Sequence, residues 1–357
     1  MPALDRPLVV GVTGIAGHAL ATRLVPRGGT VLGLSRRSTS SVSGVESLQA
    51  DLTDPDALAR TLAGTRPTAV FLTAWARQDS EEENIRVNGA MVRDVLEAAC
   101  ADGTVEHVAL TTGLKHYLGP FEAYGQGEIP ETPFREDSPR VDAPNFYYAQ
   151  EDELFAAAER HGFGWSVHRA HTMVGYAVGN AMNIASTLGA YAALCRETGR
   201  AFRFPGSAQQ WHGLTDMTDA GQLAEQMLWA ATTPAARDEP FNVVNGDVFR
   251  WRWMWSRLAE LLDVTPEGFD GDPAPLEGQM AAMGQAWERL AEREGLRETR
   301  LDHVASAWHT DGDLGRDIEC VTDMSKARLA GFTGYVRTLD SFARAFEVLR
   351  EERVIPR

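Results

Sequence analysis

The sequence is poor in lysine, in cysteine and in long apolar segments. The shortage of cysteine and of apolar segments argues against particular classes of protein. Only two of its 34 basic residues are lysines, Lys115 and Lys326, and arginine supplies the rest. The three cysteines, Cys100, Cys195 and Cys320, are far apart and form no CxxC pair. That spacing disfavours a metal site and a disulfide framework, so we expect a reduced, cytoplasmic protein without bound metal.

No uncharged apolar run approaches the roughly 18 residues that span a bilayer. The chain also enters the apolar stretch Leu8–Val12 without the basic segment and cleavage site of a secretory signal. Acidic residues outnumber basic ones by 50 to 34, and the net charge of −16 repels nucleic acid and anionic membranes. We therefore predict a soluble protein that binds neither, and that holds any anionic cofactor through a local basic feature.

What the sequence does contain is a regular alternation of short apolar strands and amphipathic helices. The predicted strands are Leu8–Val12, Thr30–Leu34, a third before Asp51, Thr68–Leu72, His107–Leu110, Trp165–Arg169 and Phe241–Val244. The predicted helices between them include Ala19–Leu24, Asn84–Cys100, Tyr148–Arg160 and Thr218–Ala231. This pattern is typical of an α/β fold with a doubly wound parallel sheet of the Rossmann type.

The later part of the chain predicts a second, smaller and mostly helical domain. We assign residues 1–173 to a nucleotide-binding body, to which the chain returns near 208–250. Residues 174–207 and 251–357 are assigned to a cap on the substrate side. The Gly- and Pro-rich stretch 117–145 predicts a long loop near the active site.

A glycine-rich turn, GVTGIAG, lies between the first strand and the first helix. Glycines in this place allow a tight turn and let the backbone and the helix N-terminus approach a pyrophosphate. The predicted cofactor contacts in this turn are Gly11, Thr13, Gly14, Ile15 and Gly17. A purely structural turn is the alternative. The spacing GxxGxxG resembles that of extended and atypical short-chain dehydrogenases.

The end of the second strand predicts which nicotinamide cofactor is bound. An NAD site would place a carboxylate here to bind the ribose 2′-hydroxyl, but the sequence has Ser35, Arg36 and Arg37. Two guanidinium groups suit a 2′-phosphate, so we predict NADP(H). A solvated basic turn is the alternative. Asp51 and Leu52, after the third strand, are expected to flank the adenine.

Candidate catalytic residues lie in two segments. Short-chain dehydrogenases normally carry Tyr-x-x-x-Lys on one helix, with the lysine supporting the tyrosine that donates the proton. Here Tyr147 and Tyr148 are followed by Glu151 and Asp152, so the usual lysine is missing. Lys115, just after the fifth strand, can reach the same space from another side.

Several longer blocks identify a family. They are Gly11–Gly17, Ser35–Arg37, Asp51, Trp75, Glu83-Asn84, Thr112–Phe121 (TGLKHYLGPF), Asn145–Asp152 (NFYYAQED), Trp165–Arg169 and Phe241–Phe249. With them the sequence resembles, along nearly its whole length, the progesterone 5β-reductase/iridoid synthase-like (PRISE) family of atypical short-chain dehydrogenases/reductases. The resemblance implies NADPH-dependent reduction of C=C bonds conjugated to a carbonyl, and some members reduce carbonyls. It makes Tyr147, rather than Tyr148, the partner of Lys115.

The resemblance also suggests which other residues border the ligands. Those expected to border the cofactor are Trp75, Thr111, Thr112, Gly113, Lys115, Tyr147, Ala170 and Met173. The candidate substrate contacts are Trp75, Phe121 and Tyr148. The chain departs from the family pattern at Ala74, where threonine is common, and at Ala170, where proline is common.

We therefore predict an NADPH-dependent 1,4-reductase of small hydrophobic α,β-unsaturated carbonyl compounds, in which Tyr147 hydrogen-bonds the enolate oxygen and Lys115 supports it. A carbonyl reductase and a non-catalytic NADP-binding regulator are the alternatives; a homodimer is compatible with the sequence. A sugar-nucleotide epimerase would keep Tyr-x-x-x-Lys and bind NAD, and this sequence has neither feature.

His116 is expected to pack on the side opposite Lys115, since side chains alternate along an extended segment. His168 and His171 are interpreted as buried or cofactor-bordering residues.

Overall fold

A computed structural model describes residues 4–36, 42–120, 130–177 and 179–357. The strands of the main sheet are β1 (Pro7–Val10), β2 (Val31–Ser35), β3 (Val45–Gln49), β4 (Ala69–Leu72), β5 (His107–Gly113), β6 (Gly164–Ala170) and β10 (Glu239–Val243). Two short pairs are β7 (Met173–Val174) with β9 (Thr218–Asp219), and β8 (Phe202–Arg203) with β11 (Pro266–Glu267). The main sheet is parallel throughout, in the order β10-β6-β5-β4-β1-β2-β3, which confirms the predicted Rossmann-type fold.

The described helices follow the predicted alternation. Those of the first half are α1 (Ile15–Leu24), α2 (Pro55–Leu62), α3 (Glu81–Ala99), α4 (Lys115–Leu118) and α5 (Phe146–His161). Those of the second half are α6 (Ile184–Thr198), α7 (Ala208–His212), α8 (Ala220–Thr232), α9 (Trp251–Leu262), α10 (Leu276–Met280), α11 (Gly284–Glu294), α12 (Ala307–Leu314), α13 (Ser325–Leu329) and α14 (Thr338–Glu351).

Apolar side chains cover both faces of the sheet, as buried parallel strands require. Helices α1 and α8 pack on one face, where Leu20 and Met227 belong to the same apolar cluster. Helices α2, α3 and α5 pack on the other face, with Leu58, Leu96 and Leu154 fully buried. Because these strands run parallel, the carboxyl ends of β1, β4 and β5 meet at one edge of the sheet, where α/β enzymes bind their ligands.

The second-half helices α6, α9, α11 and α14 enclose a separate aromatic-rich core that includes Trp255, Trp287 and Phe346. One segment departs from the predicted division, because α13 packs against β10 through Ala327 and Phe241 rather than joining the cap. Among the described helices, none combines the length and the apolar character that crossing a membrane needs.

Candidate active site

The glycine-rich turn is held by contacts that only glycine permits. Gly11 has a positive φ of 85°, and its N–H donates to the carbonyl of Leu34 at 2.9 Å. A Cβ atom at Gly11 would lie 2.8 Å from the Cβ of Ala74, and one at Gly17 would lie 2.2 Å from the carbonyl oxygen of Gly11. Helix α1 and the turn are thus in direct backbone contact.

The N-terminus of α1 suits a phosphate group. Its N-cap is Gly14, which offers no side-chain cap, and its first turn carries no acidic residue. By contrast, Asp54 caps α2 and Ser80 caps α3 with side-chain oxygens. The backbone N–H groups near Thr13 and Ile15 therefore meet no side-chain oxygen of a cap, and they fit the pyrophosphate of a dinucleotide.

The end of β2 carries the residues that are predicted to choose the cofactor. Ser35 is buried and Arg36 is exposed, while Arg37 lies outside the described residues. Hydrogen bonds from the Thr53 N–H and hydroxyl, helped by the charge of Arg36, lower the pKa of Asp51. A guanidinium group beside the predicted adenine pocket fits a 2′-phosphate.

Tyr147 and Lys115 both lie against the ring of Phe146. Helix α5 begins at Phe146, two residues earlier than predicted, so Tyr147 lies in its first turn. The rings of Phe146 and Tyr147 are 4.4 Å apart, and the Lys115 Nζ is 5.0 Å from the Phe146 ring centroid. A Cβ atom at Gly113, the last residue of β5, would lie 3.3 Å from the Tyr147 hydroxyl oxygen. The two side chains thus share the carboxyl edge of the sheet.

The phenol of Tyr147 is held in its neutral form. Burial raises its pKa well above the usual value, and the negative charge of Glu81 raises it further. Glu81 also accepts the Phe146 N–H at 2.7 Å and an amide N–H of Asn84 at 3.1 Å. A phenol that keeps its proton can donate a hydrogen bond to an oxygen atom that gains negative charge.

A carboxylate occupies the position where Tyr-x-x-x-Lys would have lysine. Glu151 is buried, and its oxygen atoms lie 2.9 Å from Arg140 and 3.8 Å from Arg169. Burial alone would raise the pKa of Glu151, but His116 and these arginines outweigh it and the net shift is downward. An ionised carboxylate at this position cannot replace the ammonium group, and Lys115 remains the predicted source of that cation.

The expectation for His116 was wrong in its reasoning. Residues 115–118 form a helical turn instead of an extended segment, so strand alternation does not apply. The His116 ring is nevertheless buried, with Nδ1 3.6 Å from a Glu151 oxygen and T-shaped ring contacts to Tyr117 and Tyr148. Its surroundings are those of a packed residue.

Tyr148, a candidate substrate contact, is tied to the protein. Its hydroxyl donates to the carbonyl of His116 at 2.5 Å and accepts the Val141 N–H at 2.9 Å. Arg140 also lies over its ring, at 4.7 Å. These contacts use the only proton of the hydroxyl, and a substrate contact by Tyr148 stays a prediction.

Trp75 contacts the same Phe146 ring. Its ring is 37% exposed and stacks on Phe146 at 5.4 Å. The buried amide of Asn88 fixes the chain just beyond it, accepting the Ala76 N–H at 2.8 Å and donating to the Ala76 carbonyl at 2.9 Å. One residue later, Arg77 lies 3.5 Å from the ring centroid of Trp308 in α12, which joins this segment to the cap.

The other predicted border residues line the ends of β5 and β6. Thr111 donates to the sulfur of Met227 at 3.6 Å, and Ala170 pairs with Gly113. The Thr112 hydroxyl is buried and has no hydrogen-bond partner among the described residues. The remaining predictions are Leu52 and Met173, both half-buried, and Phe121, which lies outside the described residues.

Sequence reasoning missed four residues that hold this site together. Glu81, Asn88, Asn145 and Glu151 are polar, and each is bonded to the backbone or to a charged group of a neighbouring element. Only Asn145 carried a local signal, since asparagine directly before a helix is a common N-cap. The other partners are remote in sequence.

His168 and His171, which the sequence analysis interprets as buried or cofactor-bordering residues, are buried and hydrogen-bonded to other side chains. His168 contacts Gln226 at 2.7 Å, and burial lowers its pKa to about 4. His171 lies between Asp216 and Arg316, each at 2.8 Å. Within the described ranges no three His, Cys, Asp or Glu side chains are grouped as a metal ion would need.

Comparisons with known proteins show similarity along nearly the whole chain. A family model described as PRISE-like Rossmann-fold domain matches residues 39–356. The chain is 37% identical to the (S)-8-oxocitronellyl enol synthase of Camptotheca acuminata, covering 98% of this chain and 93% of that protein. It is 36% identical to the 3-oxo-Δ(4,5)-steroid 5β-reductase of Arabidopsis thaliana, covering 98% and 92%.

Solved structures with a similar fold are more distant in sequence. The epimerase Mth375 of Methanothermobacter thermautotrophicus superposes with a TM-score of 0.70 at 19% identity, covering 98% of this chain and 93% of that one. The UDP-glucose 4-epimerase of Thermotoga maritima superposes with a TM-score of 0.67 at 17% identity, covering 97% and 99%. Similarity at this level concerns the fold.

Proposed function

The chain belongs to the PRISE-like Rossmann-fold family, and on that basis we propose that it is an NADPH-dependent reductase of small hydrophobic α,β-unsaturated carbonyl compounds. The observation that carries this proposal is the cluster of Tyr147 and Lys115 around Phe146, beside Gly113 at the carboxyl edge of the sheet. A neutral hydroxyl and an ammonium group there can face a carbonyl oxygen together.

The chemistry follows from where charge develops. NADPH, when bound, would supply a hydride, and hydride addition at the β-carbon of an enone would move electrons onto the carbonyl oxygen. Tyr147 donates a hydrogen bond to that oxygen as it becomes an enolate, and Lys115 stabilises the negative charge. A proton from water then adds to the α-carbon and gives the saturated carbonyl compound. The raised pKa of Tyr147 serves this role, because the phenol enters the reaction with its proton.

The preference for NADPH is supported by charge at the end of β2. Arg36 stands there in place of the carboxylate of an NAD site, and the uncapped N-terminus of α1 offers N–H groups to phosphate. The N-terminus of α1 thus suits the pyrophosphate of the cofactor, and Arg36 suits its 2′-phosphate.

Reduction of the carbonyl group itself is the second candidate function. Charge develops on oxygen in either reaction, so Tyr147 and Lys115 would serve both. The C=C reaction is favoured because the Arabidopsis relative is, by name, a 5β-reductase of 3-oxo-Δ(4,5)-steroids, in which the alkene is conjugated to the ketone. A non-catalytic NADP-binding protein has no need of the neutral phenol beside an ammonium group.

Substitutions of the catalytic pair test the proposal. We expect Tyr147→Phe and Lys115→Ala to lower kcat for enone reduction by about 10²–10³-fold while NADPH still binds, because each removes one group that stabilises the oxyanion. Tyr148→Phe is the matched control. It removes a hydroxyl bonded to backbone, so it should cost about 1–3 kcal/mol of stability with little loss of kcat. An inactive Tyr148→Phe beside an active Tyr147→Phe would refute the assignment.

A further inference from the structure

One buried side chain is hydrogen-bonded to the backbone of both proposed catalytic residues. The Asn145 Oδ1 accepts the backbone N–H of Tyr147 at 3.0 Å, and its Nδ2 donates to the backbone carbonyl of Lys115 at 2.6 Å. Only 3% of the residue is exposed, so water does not compete for either bond. A single amide group thus touches the backbone of both catalytic residues.

A link of this kind is required because the two residues sit on different elements. In Tyr-x-x-x-Lys, one helical turn sets the distance between tyrosine and lysine. Here the lysine begins α4, a helix of four residues with no side-chain cap of its own, and the tyrosine lies on α5. Rigid helix geometry cannot fix the distance between two separate elements, so another contact must do so.

We propose that Asn145 is a positioning residue, which sets the placement of Lys115 relative to Tyr147 through this pair of hydrogen bonds. The inference rests on the proposed catalytic roles of the two residues. Both ends of the amide are used, one as acceptor and one as donor; an ionised aspartate can only accept, and the single oxygen of serine lies on a shorter side chain. Glu81 supports the same turn by accepting the Phe146 N–H, so α5 is anchored on two sides.

The scarcity of lysine provides a test that does not depend on activity. Lys115 and Lys326 are the two lysines of the chain, and Lys326 pairs with Glu239 at 2.7 Å, far in sequence from Asn145. Labelling with an amine-reactive reagent, followed by mass spectrometry, gives the ratio of the two rates. We expect Asn145→Ser to raise the Lys115/Lys326 ratio at least threefold, because serine can still cap α5 but its side chain is too short to reach the Lys115 carbonyl as well.

Activity is measured on the same variants. Since a misplacement of about 1 Å can cost about 100-fold, kcat should fall 10- to 100-fold in Asn145→Ser and in the isosteric Asn145→Asp, while the Kd for NADPH stays within threefold. Asn183→Ser is the matched control, because Asn183 caps α6 and donates to the Gly175 carbonyl at 2.9 Å in the same way. It should lose similar thermal stability and keep both kcat and the labelling ratio.

Two results would overturn the inference. The first is an unchanged labelling ratio and kcat in both Asn145 variants. The second is an equal loss of kcat in Asn145→Ser and Asn183→Ser, which would mean that lost stability alone is responsible. A wild-type chain that reduces neither enones nor carbonyls would refute the proposed function instead, and the labelling ratio would still decide whether Asn145 positions Lys115.

Discussion

Replacing Gly17 by alanine should separate α1 from the phosphate turn. A Cβ atom at position 17 would lie 2.2 Å from the Gly11 carbonyl oxygen and 2.9 Å from the Thr73 hydroxyl oxygen. Ordinary contact begins at 3.4 Å, so helix and turn must move apart by about 1.2 Å. Losing one charge-assisted hydrogen bond costs about 1.5–3 kcal/mol, which corresponds to a Kd for NADPH about 10- to 100-fold weaker.

Fluorescence titration with NADPH and thermal unfolding measure the two effects of Gly17→Ala. The overpacking itself should cost about 1–3 kcal/mol of stability. Gly278→Ala is the control, because Gly278 lies within α10, has no atom within 4 Å of an added Cβ, and should be neutral or stabilised by up to about 1 kcal/mol. A Gly17→Ala variant with wild-type Kd and stability would refute the argument.

The remaining predictions concern cofactor choice, the phenol and a buried hydroxyl. Replacing Arg36 and Arg37 by alanine should raise KM for NADPH far more than for NADH; an equal rise for both would contradict the 2′-phosphate assignment. Glu81→Gln removes a charge that raises the pKa of Tyr147, so the alkaline limb of the rate–pH profile should move to lower pH, and a shift upward would count against the electrostatic argument. Thr112→Val should leave the stability of the free chain equal or higher and weaken NADPH binding, measured by titration, because its hydroxyl has no described partner; unchanged binding would exclude Thr112 from the site.

The sequence predicted the fold well because the pattern of a parallel sheet is local. Apolar runs such as Thr68–Leu72 and the helical periodicity after Ser80 can be recognised without knowing their neighbours. The errors in the element boundaries lie at the starts of helices, where the N-cap residue determines the first helical position. Helix α3 begins at Glu81 rather than Asn84 because Ser80 caps it, and α5 begins at Phe146 because Asn145 caps it.

The candidate site was predictable in part. The family resemblance is confirmed by the comparisons, whereas the roles of Tyr147 and Lys115 remain predictions. Tyr147 and Tyr148 are adjacent, and only the helix phase separates a side chain at the edge of the sheet from one bonded to His116. The ionic cluster around Glu151 joins remote segments, so no local spacing could reveal it.

The most direct test of the central claim is the position of deuterium after reduction of 2-cyclohexenone with deuterated NADPH. The proposed function predicts cyclohexanone that carries the label on the β-carbon, with the signal lost in Tyr147→Phe. An allylic alcohol with the alkene intact and the label on the carbinol carbon would contradict it, and would make this chain a carbonyl reductase.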